Sequence, residues 1–164
     1  TGLLTLTGDI RDPLDRVAQK NMRIHRLAGI GAGVAVLLVN SIIMTYFIGT
    51  SRWCREVSET YILGETYIAR SVRLKRRAFP ASLVGIVTMI GIAALGAAAD
   101  PMTGTAVPAG GITWAQWHLT ATLLGMLAVG WSLVAQHTAV TSNHEIITDI
   151  LGEVHRIRTQ RGLD

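Results

Sequence analysis

Five histidines and a single cysteine are the side chains of this chain best suited to hold a metal or a cofactor. His25 immediately precedes the first long apolar run, and His118 opens the third. In a chain that crosses a membrane three times, those two positions share one membrane face. Two imidazoles from facing helices can ligate a haem iron or another metal. The same positions also suit ordinary interfacial histidines, His25 beside Arg26 and His118 beside Trp117. His137, His144 and Cys54 belong to the opposite face and supply the donor types of a Cys/His metal set. Their spacing fits no ligand pattern, so solvated polar residues at a helix end describe them as well. His155 lies among bases of the C-terminal segment.

Other chemistry finds less footing. Glu56, Glu59 and Glu65 share their segment with Arg52 and Arg55, so solvated ion pairs account for them. Acid–base carboxylates need apolar shielding or mutual proximity to shift their protonation, and nothing in this stretch supplies it. The glycines of Gly29-Ile30-Gly31-Ala32-Gly33 lie in an apolar helical run and do not follow a strand, so they form no dinucleotide loop. No phosphate loop, nucleophile elbow or zinc-protease motif occurs. One cysteine permits no intramolecular disulfide and no Cys-x-x-Cys site.

The elements that must position these residues follow from where charge is missing. No Asp, Glu, Lys or Arg occurs in 27–51, in 78–99 or in 101–143. Charged residues make up only 16% of the chain, against roughly 25% in an ordinary soluble protein. Three spans are therefore predicted, over 27–49, 81–99 and 117–138. The first covers about 34 Å at 1.5 Å per residue, enough for a hydrocarbon core of about 30 Å with some tilt. It is too long for a signal-peptide core and is read as a span that stays. The net charge of +4 sits in three blocks flanking the apolar runs, which suits anionic lipid headgroups and argues against nucleic acid as the partner.

Between the spans the patterns change. Residues 1–26 form a tail and an interfacial amphipathic helix, with Asp12 as cap and Pro13 in the first helical position. Residues 50–80 form a basic helical connector that Gly64 interrupts and Pro80 ends. Residues 100–116 form a Gly- and Pro-rich loop, and 139–164 a separate amphipathic helix capped by Ser142 and Glu145. Ile147, Ile150, Val154 and Ile157 make a two-heptad apolar seam on that helix, fit to dock on a protein partner. Gly29, Gly33, Gly91 and Gly125 open small-residue faces on the spans for close helix contact. Asn40 and Ser41 fall in mid-membrane, where an interhelical hydrogen bond is the simplest use of a buried amide.

The loop charges set an orientation. The N-terminal block carries 5 Lys and Arg, the connector 7, the 100–116 loop none and the tail 3. An outside N-terminus puts 10 bases in the cytoplasm and 5 outside, as the positive-inside rule prefers. The expected protein is an all-α integral membrane three-helix bundle with amphipathic extramembrane helices, in a membrane of the bacterial inner-membrane type. The function expected is that of a non-catalytic accessory or scaffold subunit, joined to other membrane subunits or to copies of itself. The rival is an electron-transfer subunit holding b-type haem or quinone through His25 and His118. A small channel or transporter ranks third, because the spans lack the ionisable residues such proteins use.

Overall fold

In the computed structural model, residues 15–106, 108 and 110–163 are described. The predicted Asp12–Pro13 helix start lies outside them. Among the described residues there are three α-helices and one short turn: α1 Arg16–Tyr61, α2 Thr66–Ala98, a 3-10 turn Pro101–Thr103, and α3 Trp114–Gln160. All three helices are long and apolar enough to cross a membrane. The chain is an all-α three-helix bundle built as an integral membrane protein.

The helices are longer than the predicted segments. At 1.5 Å per residue, α1 and α3 each reach about 70 Å and α2 about 50 Å, well beyond a hydrocarbon core of about 30 Å. The first span and its connector are one helix, and so are the rest of the connector and the second span. Pro80, expected to begin the second span, lies inside α2. No break separates the third span from the tail, so Ser142 is an interior residue of α3 and caps nothing.

Local chemistry explains the ends. The Asp15 carboxylate accepts a hydrogen bond from the Ala18 N–H at 2.9 Å and caps α1. The Leu63 N–H donates to the Ser58 carbonyl at 2.8 Å, closing α1 with the 6→1 bond of a Schellman motif. Ile62, at φ +57°, takes the left-handed position that glycine usually fills. The chain therefore breaks next to Gly64, as expected, but the strained residue is the isoleucine. Thr113 and Gln116 form a capping box at the start of α3: the Thr113 N–H donates to Gln116 Oε1 at 2.8 Å.

The contacts divide the chain into two units, one of 40–84 with 131–164 and the other of the remaining residues. Within the first, α1 buries Asn40, Phe47 and Cys54 at seven-residue spacing, with Ser51 and Ser58 one helical turn after Phe47 and Cys54. Ser71, Ala78, Ala81 and Ser82 answer from α2. On α3 the buried residues Ser132, Ala139 and Ile146 recur every seven positions. Gln136, Asn143 and Ile150 form a second such row. This heptad spacing is that of a left-handed coiled coil. Small and polar residues make up much of the interior beside Phe47, Ile146 and Ile150, whereas Ile42, Ile48, Leu83 and Val134 lie exposed. Apolar outside and polar inside is the arrangement that lipid favours.

Candidate functional site

In the unit of 15–39 and 85–130, α1 and α3 bring His25 and His118 together. Their ring centroids are 6.1 Å apart and the planes stand at 87°. His118 is buried, and its Nδ1 lies 3.1 Å from the Ile92 carbonyl of α2. A carbonyl only accepts, so Nδ1 carries the proton and Nε2 keeps its lone pair. The ring can lie this close because Gly96 has no side chain. A Cβ built there would sit 3.0 Å from His118 Cε1. Beside this pair, Arg26 and Asp100 form an ion pair at 2.6 Å, which ties α1 to the turn after α2. The Trp114 indole N–H donates to the Ala106 carbonyl at 2.7 Å and ties Ala106 to the start of α3.

The unit of 40–84 and 131–164 holds a buried polar network. The Gln136 amide Nε2 donates to Asn40 Oδ1 at 2.8 Å and to Ser132 Oγ at 2.6 Å. Ser132 in turn donates to the Ala81 carbonyl at 2.6 Å, so all three helices are joined. Asn143 donates to the Tyr46 hydroxyl at 3.0 Å. Asn40 thus bridges helices, while Ser41 beside it is exposed. Farther along, Cys54, Ile146 and Ile150 form an apolar cluster against Trp53, Val57, Leu63, Tyr67, Leu74, Ile147 and Val154. Burial raises the Cys54 thiol above its ordinary pKa, so it is a packing residue and a poor nucleophile. Arg70 and Asp149 pair at 3.0 Å between α2 and α3. Glu153 and Arg156 pair on the surface, and the guanidinium lowers the carboxyl.

The other residues singled out in the sequence divide as follows. His137, His144 and His155 are exposed, and among the described residues no group of three metal-ligating side chains gathers around Cys54 or elsewhere. Gly125 packs within the chain: a Cβ there would meet Ile92 Cδ1 at 2.5 Å and Thr88 Cγ2 at 2.9 Å. Gly33 faces Met89 Cε at 3.5 Å, whereas Gly29 and Gly91 have nothing nearby. The tail seam is largely covered from inside. Ile150 is fully buried, and Ile147, Val154 and Ile157 are half-buried.

Sequence reasoning missed Ile92 and Gly96 as supports of His118, because a backbone acceptor and an absent side chain leave no motif. It also missed Gln136, inside the predicted span 117–138, as the centre of the network. A glutamine seven residues from Asn143 and fourteen from Ile150 on one helix was the available signal. Compared with known protein families, curated proteins and solved structures, the chain matches none.

Proposed function

We propose that this chain is a non-catalytic accessory or scaffold subunit of a membrane assembly, whose working part is the three-helix body outside the bilayer. The observation that carries this reading is the continuity of the helices. α1, α2 and α3 each run from an apolar span into a polar segment without a break. A partner that grips the half-buried residues packed around the extramembrane cluster of Cys54, Ile146 and Ile150, such as Ile147 and Val154, would therefore bind helices that continue into spans. The buried polar side chains support the same reading, since Gln136, Asn40, Ser132 and Asn143 bond to one another or to the chain's own helices. Surfaces left for partners are the open Gly29 and Gly91 on the spans and the half-buried Ile147, Val154 and Ile157. Arg73, Arg76 and Arg77 are exposed beside the second span and suit anionic headgroups of the cytoplasmic leaflet.

The orientation belongs to this proposal. The basic connector and tail face the cytoplasm, and the 100–116 loop faces outside, in an inner-membrane setting. A cysteine placed at Thr105, with Cys54 replaced by serine, is expected to react with an impermeant maleimide on intact cells. Labelling only after the membrane is opened reverses the topology. Native mass spectrometry from mild detergent tests the assembly. A mass above the 17.6 kDa of one chain supports the scaffold reading, and a lone chain under all mild conditions defeats it.

A further inference from the structure

We propose that His25 and His118 are the two axial ligands of a haem iron. The donor set is the first reason. Exactly two imidazoles converge, and among the described residues no third His, Cys, Asp or Glu joins them. A zinc ion asks for four ligands. A haem iron already has four from its macrocycle and needs only the two axial positions filled, for which imidazole is an established ligand.

Geometry is the second reason. An imidazole–metal bond of about 2.0–2.1 Å, plus roughly 1 Å from ring nitrogen to ring centre, places two axial rings about 6 Å apart across one metal. The observed separation is 6.1 Å. Ligating histidines also need a fixed tautomer, normally secured by a hydrogen bond from the other ring nitrogen. The Ile92 carbonyl accepts that bond from His118 Nδ1 and leaves Nε2 for a metal. Space is the third reason. Gly29 follows His25 by one helical turn and has nothing within 4 Å of where its Cβ would be. Gly96 lets the His118 ring rest against α2. Along 27–39, α1 is exposed except at the half-buried Gly33 and Val36. A flat macrocycle entering there would meet few side chains.

The test uses the full chain in detergent, titrated with haemin and read by absorption in the oxidised and reduced states. One haem per chain with a six-coordinate, low-spin spectrum is expected. With the imidazole planes near 87°, the oxidised form should give a highly anisotropic low-spin EPR signal, as crossed ligand planes do. His25→Ala and His118→Ala should each abolish the low-spin signal, and His137→Ala, at an exposed position of the other unit, should leave it intact. Circular dichroism checks that each variant keeps its helices. Should either alanine variant lose them, His25→Met and His118→Met keep a ligand and are expected to stay six-coordinate with shifted absorption bands. Gly96→Ala, by displacing the His118 ring, should convert part of the iron to high spin. The proposal is overturned by three results. One is a wild-type protein that shows no low-spin haem. Another is a low-spin spectrum that survives both histidine substitutions. The last is binding of one Zn²⁺ or Cu⁺ per chain with haemin ignored.

Discussion

The two units solve the same packing problem differently. In 40–84 with 131–164, heptad rows of small, polar and apolar residues bury Asn40, Phe47, Cys54, Gln136, Asn143, Ile146 and Ile150 completely. In 15–39 with 85–130, α1 buries Ala18 and Met22, but from 27 to 39 only Gly33 and Val36 are even half-buried. Lipid gives helices no hydrophobic reason to associate, so contact must come from close packing and hydrogen bonds. The first unit has both. The second has close packing at Gly125 between α2 and α3, and a histidine pair where α1 meets α3. Close packing and hydrogen bonds are thus concentrated in one unit, and exposed helix surface in the other.

Breaking the tightly packed unit should cost most. Ile150→Asp places an unpaired carboxylate in a site with no solvent exposure and should destabilise the fold by about 3–5 kcal/mol, as buried unpaired charges do. Leu151→Asp, one residue on and 53% exposed, should change stability by less than about 0.5 kcal/mol. Thermal melting in detergent compares them, and equal melting temperatures would mean that Ile150 is not the interior residue seen here.

Glycine substitutions sharpen the contrast within the spans. Gly125→Leu forces a side chain into Ile92 and Thr88 and should cost about 1–3 kcal/mol in the isolated chain. Gly91→Leu meets nothing and should leave the isolated chain unchanged, acting only where another molecule packs on that face. Denaturation of both variants in the same detergent decides the point, and a Gly91 variant as unstable as the Gly125 variant refutes the placement of these glycines.

The smallest expected effect lies at the tip between α1 and α2. Ile62 is 86% exposed with φ +57°, a conformation that costs a residue with a Cβ about 1–2 kcal/mol. Ile62→Gly relieves that strain but gives the unfolded chain more freedom, so a net stabilisation of roughly 0.5–1 kcal/mol is expected. A variant less stable than the parent would show that the exposed isoleucine makes a contact worth more than its strain.

The spans were legible in the sequence because charge is costly in hydrocarbon and its absence over 27–51, 78–99 and 101–143 needs no alignment to see. The helix boundaries were less so. Gly64, Pro80 and Ser142 carry the local chemistry of breaks and starts, yet only the first lies at a break, because packing along the rows of α2 and α3 holds the helix through the other two. The apolar seam of 147–157 was visible, but its continuation through Asn143 and Gln136 was not. Those side chains carry no hydrophobic signal, and in a membrane bundle it is small and polar residues that line the interior.

The same physics separates what each level determined. Sequence alone settled that this is a helical chain with three segments able to cross a bilayer, because composition and length answer that question residue by residue. It also placed His25 and His118 at one membrane face. Only the tertiary structure decided that their rings meet 6.1 Å apart, that Ile92 orients one of them and that Gly96 makes room for it. Those are relations between helices, set by how three long helices rotate and pack, and no single helix carries them in its own pattern.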